Sequence, residues 1–98
     1  MAEHLKKLFN AVTASGRSSV FLSGQFRSAI VFITPTGTVD CTVDLEFKDA
    51  DGNFRKVDQR VLTTTDIVRI ELVRMYGDLY ANVSTYASGS ITVEAIAQ

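Results

Sequence analysis

The stretch VDCTVDLEFK, residues 39–48, decides the fold class. Apolar side chains occupy every second position, and acidic, hydroxyl or basic side chains fill the positions between them. Successive side chains of a β-strand point to opposite faces, so this segment predicts a strand with one face in a core and the other in water. Half-buried strands of this kind are typical of antiparallel sheets.

The same alternation returns in three later segments, at residues 68–72, 79–83 and 91–95. Two earlier segments, SSVFLSG and FRSAIVFIT, are also predicted as strands, and the second is apolar on both faces, which indicates a central strand. Turns containing glycine separate the strands, at residues 35–37, 51–53, 76–78 and 88–90. We therefore expect one all-β domain over residues 1–98, an antiparallel sandwich or jelly roll of seven or eight short strands.

The N-terminal segment, residues 1–14, has a different pattern. Leu5, Leu8, Phe9 and Val12 fall at helical spacing, while the sequence that follows has the character of strands. Two interpretations stay open, a short helix or arm on one side and an edge strand on the other.

The stretch DADGN, residues 49–53, has the composition of either a turn or a calcium loop. Asp-Gly supplies the positive backbone dihedrals that a tight hairpin turn needs. A helix-loop-helix calcium site has glycine at its sixth position and a bidentate glutamate at its twelfth. Counted from Asp49, glycine is fourth and Arg60 is twelfth. The sequence therefore predicts a hairpin, with an adventitious or interfacial cation as the alternative.

Composition and charge exclude several classes of function. The 98 residues carry a net charge of −1, so no basic patch predicts binding to nucleic acid or to an acidic membrane surface. No apolar run approaches the roughly 20 residues that span a bilayer. A single cysteine, Cys41, forms no internal disulfide and fits a chain that folds in a reducing cytosol.

Candidate catalytic residues are few. The only histidine, His4, lies near a terminus, and Cys41 occupies an inward strand position, where a small buried hydrophobe is expected. No serine or threonine stands in a nucleophile-elbow motif, and no cysteine and histidine cluster has zinc-ligand spacing. We expect no enzymatic activity, no metal site and no cofactor.

The strand LYANV and its continuation present an unusual outward row. Tyrosine combines a large contact area with a polar tip and is enriched at protein interfaces. Two alternatives stay open, a row that packs inside the sandwich with the small residues facing out, and a platform for sugars. The predicted interface residues are Tyr76, Tyr80, Asn82 and Tyr86, and the second candidate is the N-terminal group Leu5, Leu8 and Phe9.

Two stretches carry a family resemblance, TGTVDCTVDLEFKDADGNFRKV and GDLYANVSTYASGSITVEAIAQ. Together they resemble small β-sandwich virion proteins of tailed bacteriophages, of the capsid decoration, cement or head-fibre type. The matching positions are Thr36 to Val39, Asp49 to Phe54, Leu79 to Val83 and Ser88 to Val93. The chain departs from that pattern at Phe54, where tryptophan is common, and at Ala81, where arginine is often found.

The resemblance implies a structural protein of the virion. The implied function is a capsid decoration or cement subunit that is made in the host bacterial cytoplasm and binds the head lattice. Its implied partners are further copies of itself, for example in a trimer, and the major capsid protein, without nucleic acid or membrane. A tail or head-to-tail component and a carbohydrate-binding module are the alternatives. A small chain of this kind gains affinity from symmetry and multivalency when single contacts are weak.

Overall fold

The computed structural model describes residues 4–21, 27–74 and 77–97. Within these residues it contains six strands and no helix. The strands are β1 (His4–Val12), β2 (Gly16–Arg17), β3 (Ala29–Lys48), β4 (Phe54–Leu62), β5 (Val68–Leu72) and β6 (Asp78–Ala97). Every pairing between them is antiparallel, so the predicted all-β antiparallel class is confirmed.

The two 20-residue strands, β3 and β6, form the centre of the sheet. They pair with each other from Ala29 opposite Ala97 to Lys48 opposite Asp78. Residues 29–33 of β3 also pair with β5, and β1 flanks the facing half of β6. The other half of β3 pairs with β4, and β2 flanks β6 there. We call these two halves the β5 layer and the β4 layer.

Both long strands bend where short strands were predicted to end. The turns expected at residues 35–37 and 88–90 lie inside β3 and β6 instead. Gly37 and Gly89 take positive φ angles of 79° and 94° at these points, and the register shifts between Thr36 and Asp40. The prediction of many short strands was therefore wrong, because each strand bends and shifts register at its glycine but continues beyond it.

One hydrophobic core joins the inward rows of the two layers. The alternation predicted for residues 39–48 is confirmed, since Val39, Cys41, Val43, Leu45 and Phe47 are all buried. Inward residues of the β5 layer belong to the same cluster, among them Val31, Ile33, Ile91 and Val93. The folded-over sheet is thus consistent with a sandwich-like arrangement.

In its described part, residues 4–14, the N-terminal segment forms an edge strand, so of the two open interpretations the edge strand is confirmed and the helix or arm was wrong. β1 pairs with β6 from His4 opposite Ala97 to Val12 opposite Ile91. Its register shifts between Lys7 and Phe9 and again before Val12. Each irregularity adds a residue to the strand, so neighbouring inward side chains are three residues apart instead of two. This spacing resembles that of a helix.

The segment SSVFLSG also differs from its prediction. Its described part, residues 18–21, forms no named strand and has one isolated bridge, between Phe21 and Leu79. Ser18 anchors the segment to β6, since its amide donates to the carbonyl oxygen of Ala81 at 2.7 Å. Residues 22–26 lie outside the described part of the chain.

Candidate functional site

The outward face of the β4 layer carries the tyrosine predicted for an interface. Tyr80 and Asn82 stand on this face of β6, opposite Glu46 and Asp44 of β3. On the far side of β6, Arg17 of β2 pairs with Asn82. We call the surface formed by these residues and Phe54 the tyrosine face; its members are Arg17, Asp44, Glu46, Phe54, Tyr80 and Asn82.

Arg17 organises one end of the tyrosine face. Its Nε donates to Glu46 Oε1 at 2.8 Å, and its guanidinium carbon lies 3.7 Å from the centroid of the Phe54 ring. Phe54 in turn meets Tyr80 edge to face, with ring centroids 5.0 Å apart. The hydrogen bond to Glu46 raises the pKa of Arg17, so the guanidinium keeps its charge. A cation, two aromatic rings and a carboxylate are thereby held in a fixed arrangement.

The two carboxylates of this surface are more than nine-tenths buried, although they point away from the hydrophobic core. Gln59 Nε2 donates to Asp44 Oδ1 at 2.8 Å, and Arg17 satisfies Glu46. Buried charge is costly unless it is hydrogen-bonded or paired, and both carboxylates meet that requirement here. Both carboxylates are therefore held in place beneath the surface, and their bonded oxygens are not available to contact a ligand.

The free polar groups of the tyrosine face belong to Tyr80 and Asn82. Neither the Tyr80 hydroxyl nor the Asn82 side-chain amide has a hydrogen-bond partner within the described residues. Neither contains a fully buried, unsatisfied atom, so water reaches them. An aromatic hydroxyl and an amide beside a fixed guanidinium are well suited to contact a ligand.

Tyr86, another residue of the predicted interface, lies elsewhere. Tyr86 stands opposite Cys41, packs against the core and donates its hydroxyl proton to the Gly89 carbonyl oxygen at 2.8 Å. The predicted row was wrong at Tyr86. A register shift between Thr42 and Val43 leaves one extra residue in β6, so side chains beyond it alternate in the opposite phase and Tyr86 faces the core. Tyr76 falls outside the described residues.

The N-terminal candidate group is also divided. Leu8 is buried in the core, and Phe9 packs against it while remaining partly accessible. Leu5 is 58% exposed and pairs with Ile96 on the outward side of the β5 layer. Leu5 is therefore the most exposed of the three residues, and Phe9 is partly accessible.

A second surface, which the sequence did not single out, covers the outward side of the β5 layer. Cross-strand pairing arranges it in two rows of four residues each. We call it the apolar face; its rows are Leu5, Ile96, Ile30 and Glu71, followed by Lys7, Glu94, Phe32 and Arg69. In the sequence, residues 29–33 are apolar on both sides of the strand, a pattern that predicts a buried central strand and does not reveal an exposed face.

A shallow cavity of about 230 Å³ adjoins the first row of the apolar face. Its lining is mostly apolar and consists of Ser28, Ala29, Ile30, Glu71, Leu72, Val73 and Ile96. Val73 at its rim is 85% exposed. Apolar surface therefore continues from the sheet to the end of β5.

The stretch DADGN forms the hairpin turn between β3 and β4, as predicted. Asp49 Oδ1 accepts hydrogen bonds from the amides of Asp51 and Asn53, at 3.0 and 2.8 Å, and Arg55 Nε donates to Oδ2 at 2.9 Å. The amide of Asn53, followed by Arg55, lowers the pKa of the Asp49 carboxyl. Gly52 has a φ of 85°, the conformation that the turn requires.

Other chemistry-bearing features are sparse in the described residues. They contain no group of three or more histidine, cysteine, aspartate or glutamate side chains placed to hold a metal ion. Burial, followed by the charge of Asp40, raises the pKa of the Cys41 thiol. None of the described residues forms a helix that could cross a membrane.

Comparison with known proteins finds solved structures of similar fold. No protein-family model matches the chain, and no curated protein sequence is significantly similar to it. Among solved structures, the SPBc2 prophage-derived protein YomS superposes with a TM-score of 0.78 at 16% identity, over 98% of this chain and 92% of YomS. The chain thus has the fold of a prophage-derived protein.

Two further structures share the fold more distantly. A chain from the Bacillus endospore appendages, a family of disulfide-linked pili, gives a TM-score of 0.60 at 16% identity, covering 98% of this chain and 83% of its own length. A family 29 carbohydrate-binding module gives 0.55 at 9% identity, covering 99% and 86%. Assembly subunits and sugar-binding modules therefore both occur on this architecture.

Proposed function

We propose that this chain is a bacteriophage virion structural protein, a non-enzymatic capsid decoration or cement subunit that binds the head lattice as a homo-oligomer. The observation that carries the proposal is the tyrosine face, a rigid surface with free polar groups at Tyr80 and Asn82. Tyrosine and arginine are the side chains most enriched among residues that dominate the energy of protein interfaces. The major capsid protein is the proposed partner at this face.

The fold supports a phage origin. YomS comes from a prophage and matches nearly the whole of both chains, so the likeness extends beyond a shared motif. The Bacillus endospore appendages, a family of disulfide-linked pili, provide an example of the architecture in an assembled structure. A tail or head-to-tail position within the virion is compatible with the same fold, and the partner protein distinguishes it from decoration.

The arrangement around Arg17 favours a preformed contact. Its bond to Glu46 and its stacking on Phe54 hold the ring against Tyr80 before any partner arrives. Side chains that are already fixed lose little conformational entropy on binding, so more of the contact energy appears as affinity. We expect the loss of Tyr80 to weaken binding to capsids by roughly 2 kcal/mol, the order of a hot-spot residue.

Co-sedimentation with capsids tests this proposal. Purified protein is added to phage heads that lack it, and the bound fraction is measured for the wild type and for Tyr80→Ser combined with Asn82→Ala. Ile67→Ser is the matched control, because Ile67 is 65% exposed and lies outside the tyrosine face. We expect the wild type and the control to bind and the double variant to remain in the supernatant with its β-sheet circular dichroism intact. Binding by the double variant at wild-type strength would contradict the proposed site.

Saccharide binding at the tyrosine face is the second candidate function. A sugar offers hydroxyl groups to an amide and a phenol, and its apolar face packs on aromatic rings. The likeness to a carbohydrate-binding module supports this candidate at the level of the fold. An array of immobilised neutral oligosaccharides separates it from decoration: binding that disappears in Tyr80→Ser supports it, and an array without signal rejects it.

A further inference from the structure

We propose that the apolar face is the surface through which two copies of this chain associate, as a twofold-symmetric dimer. This inference builds on the proposed homo-oligomeric virion subunit by naming the contact between its copies. It rests on residues of the β5 layer, whereas the proposed capsid contact rests on the β4 layer.

The first observation is apolar area on the outward side of a sheet. Leu5 is 58% exposed, and Ile30, Phe32 and Ile96 are each partly accessible beside it. These four residues are cross-strand or diagonal neighbours, so their side chains form one continuous patch. Contiguous apolar surface rimmed by charge is a mark of protein interaction sites.

The second observation is the pattern of charge at the edge of that patch. Arg69 and Glu71 lie two residues apart on the outward side of β5, and Arg69 Nη2 lies 2.6 Å from Glu71 Oε1. On the opposite edge of the layer, Lys7 of β1 stands beside Glu94 of β6. The face therefore carries both signs of charge, which a self-complementary contact requires.

The signs of the charged side chains on the apolar face determine the direction of the twofold axis. An axis that runs across the strands, between the two rows, places Ile30 on the partner's Phe32 and Arg69 on the partner's Glu71. The same axis sets Leu5 against the partner's Lys7 and Ile96 against the partner's Glu94, so these two charged groups lie over aliphatic side chains. Each of these contacts occurs twice, because a twofold interface is isologous. An axis along the strands instead places Lys7 on the partner's Arg69, and like charges at that distance oppose association. The first arrangement is the one that the charges favour.

The size of the face sets the strength that we expect. Four strands spaced about 4.8 Å apart make it roughly 19 Å wide. Two rows two residues apart extend the face only about 14 Å along the strands. The footprint of roughly 270 Å² is well below the 800 Å² per partner of a standard interface. We therefore expect a reversible dimer with micromolar or weaker affinity, which repeated contacts in a lattice would reinforce.

Analytical ultracentrifugation of the purified chain tests the dimer without any phage component. Concentrations up to roughly 1 mM cover the expected range of affinity. The variants are Phe32→Asp, the single changes Arg69→Glu and Glu71→Arg, and the double change that exchanges the two charges. Val61→Asp is the matched control, because Val61 is 68% exposed and lies on β4, outside the apolar face.

The proposed axis predicts a specific order among these variants. The wild type and Val61→Asp should dimerise, and Phe32→Asp should remain monomeric. Each single charge reversal should raise the dissociation constant at least about tenfold, because it opposes like charges twice. The double exchange should restore dimerisation, since it places opposite charges together again.

Two results would overturn the inference. One is a wild-type protein that stays monomeric over the whole concentration range. The other is a dimer on which Phe32→Asp and the charge reversals have no effect, which would place the contact elsewhere. Neither result bears on capsid binding through the tyrosine face, so failure of the dimer and failure of the proposed function remain distinguishable.

Discussion

Gly89 lies directly against Val39, so closely that a Cβ atom at position 89 would stand 2.9 Å from the Val39 Cα and 3.1 Å from the Thr38 carbonyl oxygen. This contact joins the bend of β6 to the bend of β3, where both strands pass from one layer to the other. The hydroxyl of Tyr86 fastens the same bend by donating to the Gly89 carbonyl oxygen.

Replacing Gly89 by alanine should therefore destabilise the protein strongly. The new Cβ meets backbone atoms, and the φ of 94° is unfavourable for a residue with a side chain, so we expect a loss of about 3 kcal/mol or more. Gly37→Ala is the matched control, because its φ of 79° is similar and nothing lies within 4 Å of its Cβ. Urea unfolding should show the control losing only about 1 kcal/mol, the cost of the dihedral alone. Equal losses in the two variants would contradict the close contact.

The pair formed by Arg17 and Glu46 predicts coupled mutations. Arg17→Ala leaves the buried Glu46 carboxylate without its partner and removes the cation from the Phe54 ring. The Arg17 side chain is 37% exposed, so solvent screening limits the expected loss to about 1 kcal/mol. Glu46→Gln in the same chain should recover part of that loss, because the amide carries no charge to satisfy. A double-mutant cycle by urea unfolding measures the coupling, and strictly additive losses would mean that the pair contributes nothing.

Asp49 gives the turn a dependence on acid. Its carboxyl accepts the Asn53 amide and the Arg55 guanidinium, so its folded pKa lies below the ordinary value of 3.8. A depressed pKa contributes stability that is present above the unfolded value and is lost as the pH falls through the folded pKa. We therefore expect Asp49→Asn to remove part of the acid sensitivity below about pH 4, measured by thermal unfolding at a series of pH values. Identical acid profiles for the variant and the wild type would refute this role.

Cys41 should react slowly with a thiol reagent in the native protein. It is buried in the core, so a reagent reaches its sulfur only rarely. Burial together with the charge of Asp40 also raises its pKa, so little of the thiol is present as the reactive thiolate. Denaturant should increase the rate by orders of magnitude toward that of a free thiol, with Cys41→Ser as the unreactive control. A native rate equal to the denatured rate would show that the inward row is exposed.

The sequence predicted those parts of the fold that depend on local alternation. The inward row from Val39 to Phe47 and the hairpin at DADGN follow from side-chain direction and turn chemistry, which neighbouring residues determine. The bends at Gly37 and Gly89 could not be distinguished from turns, because a positive φ serves either purpose. Whether a strand ends or continues there depends on long-range pairing.

The candidate surfaces were predictable only in part, for a related reason. Tyr80 and Asn82 face outward as the alternation indicated, but the register shift ahead of Tyr86 has no signature in the sequence. Leu8 and Phe9 mimic helical spacing because β1 contains an irregularity between Lys7 and Phe9. The sequence did not reveal the apolar face. Ile30 and Phe32 belong to a continuous apolar run, and such a run predicts burial on both sides of a strand whether or not this chain covers both sides.

The most direct test of the proposed function is a cryo-electron microscopy map of phage particles from cells that carry the gene. We expect density for this fold on the outside of the head, repeated with the symmetry of the lattice, with Tyr80 and Asn82 against the major capsid protein. Particles without this chain, or a map that places it on the head through a surface other than the tyrosine face, would refute the proposed function.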